Sequence, residues 1–166
     1  MAVPCLGWAE DTGAMVAVYG VQVVRLLLAA VCGAVVGIQR ERHEKAAGLR
    51  THMLLAIGAC LFSLTALRLH ADVAQTDVMR LVQGMLMGTG FIAGGVIFRD
   101  GASVRGLTTA TGLWVMGAVG LACGIGEYFL AIVATVLTVI TLSVLRQVEQ
   151  KLHHSGDKDI GDVKHP

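Results

Sequence analysis

Charge is what this sequence has least of. Asp, Glu, Lys and Arg together make up 15% of its 166 residues, against about 25% in a typical soluble domain. Cysteine is also scarce, at four residues without paired spacing, which excludes a disulfide scaffold. No HExxH or CxxC is present, and His43 beside Glu44 has no matching partner pair, so no metal site or cofactor is assigned. The formal net charge of +1 leaves no electrostatic footprint for nucleic acid. What is abundant is apolar surface: AVILMFWC and glycine together are about two thirds of the chain. The mean hydropathy is +0.69. So large an apolar excess cannot be hidden inside one small soluble domain, and with so few charges the chain cannot be disordered either.

A bilayer core requires about 20 apolar residues per helix. Five runs approach that length: Met15 to Ile38, interrupted only by Arg25; Met53 to Leu67, extended if Arg50 and Arg68 snorkel; Leu81 to Phe98; Gly106 to Gly126; and Tyr128 to Leu145. Backbone groups in lipid must be satisfied within their own segment, so each run is expected to be a helix. The basic residues then orient the chain. Arg40, Arg42, Lys45 and Arg50 follow the first run, Arg99 and Arg105 the third, and Arg146, Lys151, Lys158 and Lys164 the last: ten of 13 on one side. The expectation is an all-α polytopic membrane protein of five transmembrane helices, N-terminus out and C-terminus in. Residues 1–14 would be an extracytoplasmic segment, 15–145 the membrane domain and 146–166 a polar cytoplasmic tail, the end of the last helix followed by a mobile stretch. No cleavable signal peptide is visible, so insertion is expected to use the helices themselves.

Twelve of the 21 glycines fall between Gly84 and Gly126. Gly84, Gly88, Gly90, Gly94 and Gly95, with Gly120 and Gly124, include small-xxx-small pairs that allow close backbone approach. They are expected to pack helices within the bundle; a homodimer face and an unwound segment around GTGFIAGG are the alternatives. The most polar stretch is RDGASVRGLTTATGLW, from Arg99 to Trp114. Its Thr108, Thr109 and Thr111 either bond back to their own helix or join Arg99, Asp100 and Arg105 in a cytoplasmic docking rim. Arg40, Glu41, Arg50 and Thr51 would share that face. Arg25 either snorkels or bonds to neighbouring carbonyls, or else lines a polar cavity. Cys32, Cys60 and Cys123 read as small hydrophobes, and Cys5 stands alone.

Four stretches resemble one family. RLLLAAVCGAVVGIQRE (25–41), AGLRTHMLLAIGACLF (47–62), QGMLMGTGFIAGGVIFRDG (83–101) and VRGLTTATGLW (104–114), followed by AVGLACGIG (118–126), are similar in order and spacing to the MgtC/SapB family of bacterial inner-membrane proteins. AGLRTH and VRGLTTATGLW are the specific signals. The resemblance implies a small multi-span protein of the bacterial inner (plasma) membrane, tied to growth in low magnesium and to virulence, and acting on another membrane complex such as an ATP synthase or a transport system. The chain departs from the family pattern in three places: Gln39 stands where Glu is common, GTGFIAGG replaces GIGFLGAG, and the sequence stops at Pro166 where members with a C-terminal regulatory domain continue, so the short SapB-like form is expected.

Three function classes compete. Mg2+ is usually held by carboxylates and retained waters, yet none of the five runs contains Asp or Glu. A Mg2+ or other ion transporter or channel therefore ranks second. A non-enzymatic regulator that binds another membrane protein complex ranks first, as a homo-oligomer, most simply a dimer, in the lipid bilayer. An enzyme ranks third, because no nucleophile and base can be placed together from spacing.

Overall fold

The computed structural model describes residues 12–72 and 78–160, with side chains placed from 15 to 69 and from 79 to 144. Cys5 and most of the segment 1–14 lie outside the described residues. Five helices follow one another: α1 (Thr12–Glu41), α2 (Leu49–Asp72), α3 (Val78–Gly94), α4 (Leu107–Ile125) and α5 (Tyr128–Ile160), with a hairpin of β1 (Phe98–Asp100) and β2 (Ser103–Arg105) between α3 and α4. Three helical segments are long and apolar enough to cross a membrane: Met15–Glu41, Leu49–Leu69 and Leu107–Ile125; Tyr128–Val144 is a shorter apolar helix. The chain is an all-α membrane protein.

Two boundaries differ from expectation. The third run was expected to be helical from Leu81 to Phe98, but α3 stops at Gly94 and Phe98 opens β1. At about 1.5 Å per residue its 17 residues reach about 25 Å, short of a full hydrocarbon core of about 30 Å. Helix α5 does not end near Leu145; its backbone continues to Ile160, so the polar residues after Gln147 extend a helix.

Glycine contacts give the packing. A Cβ on Gly33 would stand 2.7 Å from the His52 carbonyl oxygen and one on Gly37 2.7 Å from Leu49 Cα, so α1 and α2 run antiparallel backbone to backbone. Gly120 lies on the Ala56 carbonyl and Gly124 on Ser63 and the Cys60 carbonyl, so α2 and α4 run parallel in equally close contact. Helix α4 is the axis of the bundle: Met116, Val119 and Cys123 are buried in one cluster with Val36, Ala56 and Cys60, while Leu113 is buried in a second cluster with Ala93 and Ala110. Cys32, Cys60 and Cys123 are free, buried thiols. The exterior is correspondingly apolar, with Val16, Leu27, Leu54, Phe91 and Phe129 more than half exposed, as suits a surface solvated by lipid tails.

The glycines expected to pack helices divide sharply. Gly120 and Gly124 do so, but Gly84, Gly88, Gly90 and Gly94 have nothing within 4 Å of a Cβ, and Gly95 meets only its own turn. Within one chain the α3 glycines therefore do not pack the bundle, contrary to expectation. A second pair that packs helices, Gly33 and Gly37, is also a GxxxG, and that spacing is its signal in the sequence.

Arg25 takes the carbonyl-bonded arrangement. Its Nη1 donates to the Gly124 carbonyl at 2.7 Å and its Nε to the Tyr128 hydroxyl at 3.1 Å. The guanidinium thus meets the carbonyl-rich C-terminus of α4, where the helix dipole favours positive charge. Gly126 ends α4 at φ +99° and leaves that approach open, since a Cβ there would lie 3.0 Å from Arg25 Nη2. At the same end Arg68 donates to Gln22 at 3.1 Å and sits over the Tyr19 ring.

Candidate functional site at the polar end

The opposite end of the bundle gathers the end of α1, the start of α2, the hairpin and the start of α4. Three of the sequence stretches singled out above meet there. Arg40 is 5% exposed and Thr109 3% exposed, and Arg40 Nη2 donates to Thr109 Oγ1 at 2.9 Å. This buried bond ties α1 to α4 across 69 residues of sequence. Its counterpart on α2 is His52, fully buried, whose Nδ1 lies 2.8 Å from the Gly48 carbonyl. A carbonyl only accepts, so Nδ1 carries the hydrogen. His52 Nε2 then faces Gly112 of α4 and has no hydrogen-bond partner among the described residues.

Glu41 performs a separate task. Its Oε2 accepts the Leu49 backbone N–H at 2.7 Å, so the last residue of α1 caps the first turn of α2. Gly48 makes room, because a Cβ there would meet Glu41 Oε2 at 2.9 Å. An unsatisfied N–H at a helix start is costly, and losing a cap removes about 0.5–2 kcal/mol. Glu41→Ala should lower stability by that amount in chemical denaturation in detergent, whereas Glu41→Gln, which keeps an acceptor oxygen, should lose less.

Gln39 explains one departure from the family pattern. Its Nε2 donates to the Val139 carbonyl at 3.3 Å and to Ser143 Oγ at 2.5 Å, joining α1 to α5. An ionised carboxylate has no hydrogen to give to that carbonyl.

Above this buried layer stands the hairpin, in which Phe98 pairs with Arg105, Arg99 with Val104 and Asp100 with Ser103. All six residues are exposed. Asp100 Oδ2 and Arg105 Nη2 are 3.5 Å apart, and Arg99 Nε donates to the Gly101 carbonyl at 3.0 Å. Gly106 turns the chain from β2 into α4 at φ +91°, and a Cβ there would collide with the Val96 carbonyl, so neither its conformation nor its space admits another residue. Ala47, Ala93, Ala110 and Leu113 form a small core beneath, with Val96 packed against it.

The expected face is therefore split. Glu41, Arg50, Arg99, Asp100, Arg105 and Thr108 are exposed and Thr51 is half-buried, but Arg40 and Thr109 are interior and present nothing to a partner. That corrects their placement on the rim: a threonine one turn into α4 faces α1, and only the helical phase of the folded chain decides which. Thr111 bonds back to the Leu107 and Thr108 carbonyls. The interior place of His52 and the α1–α5 link made by Gln39, which the sequence marks only as a departure from the family pattern, emerge from the fold. Among the described residues no group of three His, Cys, Asp or Glu side chains could hold a metal ion.

Comparison with known proteins gives a consistent answer. The MgtC family model matches residues 26–151. Protein MgtC of Salmonella typhimurium (strain LT2) is 35% identical over 131 residues, covering 79% of this chain and 55% of its own length. An uncharacterized Synechocystis protein is 37% identical with the same coverage. The Escherichia coli (strain K12) protein named "Putative magnesium transporter YhiD" is 36% identical over 135 residues, covering 78% of this chain and 63% of its own. The chain thus spans between about half and two thirds of the length of these curated relatives. No solved structure matches significantly. With its motifs meeting at one end of the bundle and a family match over most of its length, the chain belongs to the MgtC family.

Proposed function

We propose that the chain is a non-enzymatic regulator of another membrane complex, which it contacts through the β1–β2 hairpin on the cytoplasmic side of a bacterial inner membrane. In this reading all five helices cross or enter the bilayer, with the N-terminus outside. The observation that carries it is the contrast between the exposed hairpin, with its Asp100–Arg105 pair, and the buried Arg40–Thr109 bond and Gly106 turn beneath it. Such an arrangement holds an exposed polar feature on a rigid support, which lowers the entropy lost on docking. The name of the Escherichia coli relative favours magnesium transport instead. Against that reading, all four acidic side chains the structure describes, Glu41, Glu44, Asp100 and Glu127, are exposed, so none is buried within the bundle to replace water around Mg2+.

Asp100→Asn removes a charge at nearly constant volume and at an exposed position, so the amount of protein should be unchanged. If docking is the function, the complex cross-linked to the wild type in native membranes should fall about tenfold or more in Asp100→Asn, as for loss of a charged contact worth about 1.4 kcal/mol. Liposomes holding only the wild type should show no Mg2+ flux. Saturable flux from pure wild-type protein, lost in Asp100→Asn, would establish the transporter.

A further inference from the structure

Helices α2 and α3 do not close on each other. Between them runs a cleft of about 570 Å³, walled by Leu54, Leu55 and Phe62 on one side and Met85, Phe91 and Ile92 on the other. Glycine makes it: Gly58, Gly84 and Gly88 line the cleft, and nothing lies within 4 Å of where their Cβ atoms would stand. One end is polar. Arg50 and Thr51 line it there, and Arg50 is exposed with no hydrogen-bond or ion-pair partner among the described residues.

Length, lining and charge choose the occupant. From Arg50 to Phe62 the cleft follows about 18 Å of helix at about 1.5 Å per residue, comparable with the roughly 15 Å of one hydrocarbon leaflet, half of a core of about 30 Å. A single hydrocarbon chain suits that length, and the walls are apolar along it. The open cationic end supplies the sign of the headgroup, because a cation held between helices at the membrane boundary recognises an anionic one.

We infer that the α2–α3 cleft is a binding site for one anionic phospholipid, with an acyl chain lying between Leu54, Phe62, Met85 and Gly88 and the phosphate on Arg50, helped by the Thr51 hydroxyl. This site is separate from the docking hairpin and stands whether or not the hairpin docks. It also accounts for two of the α3 glycines that pack no helix of the chain: at Gly84 and Gly88 the missing side chains are the space the lipid fills.

The test is native mass spectrometry of the full chain in detergent, titrated with phosphatidylglycerol or with phosphatidylcholine of the same acyl chains. The wild type should retain one phosphatidylglycerol per chain and bind phosphatidylcholine about fivefold more weakly, as one surface-proximal cation predicts. Arg50→Gln should erase that preference while leaving phosphatidylcholine binding in place. Gly88→Leu places a side chain in the cleft at a position where a Cβ meets no neighbour, and should lose both lipids at least tenfold, with Gly20→Leu, whose Cβ also stands in open space, as the unaffected control. Equal retention of both lipids by all variants would mean a nonspecific lipid coat and overturn the site. So would a dimer that Gly88→Leu dissociates while lipid retention is unchanged, since the cleft would then seat a second copy. Glycerol phosphate binding equally to wild type and Gly88→Leu would mean that Arg50 takes a free phosphate and the acyl chain plays no part.

Discussion

Leucine at Gly120 should remove almost all folded protein from the membrane, while leucine at Gly94 should leave it near the wild-type amount. Both glycines belong to small-xxx-small pairs and look equivalent in sequence. In the fold, a Cβ on Gly120 would collide with the Ala56 carbonyl and lie 2.8 Å from Ala59 Cβ, whereas one on Gly94 meets nothing. A carbonyl on a neighbouring helix cannot swing aside as a side chain can, so α2 and α4 must separate. Overpacking typically costs about 1–3 kcal/mol, more when backbone must move, and native stability is only about 5–15 kcal/mol. Because lipid supplies no hydrophobic drive between helices, lost contact there has no substitute. Even Gly120→Ala should be strongly destabilising, and Gly33→Ala similar at the α1–α2 contact. The monodisperse peak of a fluorescent fusion in size-exclusion chromatography measures this. Equal losses at Gly94 and Gly120 would contradict the packing.

Thr109→Val should destabilise the protein by about 1.5–3 kcal/mol, the worth of a hydrogen bond to a charged group, while Thr108→Val changes little. Valine matches threonine in shape, so the only loss at 109 is the oxygen that accepts from Arg40 at 2.9 Å in a buried setting. Thr108 is exposed, and its side chain makes none of the hydrogen bonds described. Denaturation in detergent gives the difference. The same pair of variants separates support from contact: if Thr108→Val weakened partner capture while leaving stability intact, residue 108 would be part of the docking face, and Thr109→Val should act only through the amount of folded protein.

The helices were legible because lipid imposes one rule on backbone and one length on apolar runs. Four of the five runs lie within the observed helices to within a residue. The third failed at its end, where GTGFIAGGVIFRDG reads as an apolar run but the chain leaves the helix at Gly94, with the Val96 N–H bonded to the Ala93 carbonyl and Ile97 to Gly94. Hydropathy does not register that change, because Val96, Ile97 and Phe98 are as apolar as a helix would need. At the other end of the chain the helix end expected in the polar tail runs on to Ile160, since a helix need not stop where its residues become polar.

What the sequence determined by itself is the membrane character, the number of helices, the polar end and the family, all of which follow from composition, spacing and motif order along one line of chain. Only the tertiary structure decided which polar residues are interior and which glycines bear contact. Arg40 and Thr109 lie 69 residues apart and meet because Gly33, Gly37, Gly120 and Gly124 let three backbones approach. Arg25 is satisfied by Gly124 and Tyr128 about a hundred residues away, at a helix end whose position no local pattern reveals. Whether a small residue is a contact or an opening depends on what stands opposite it, and that is a property of two helices at once.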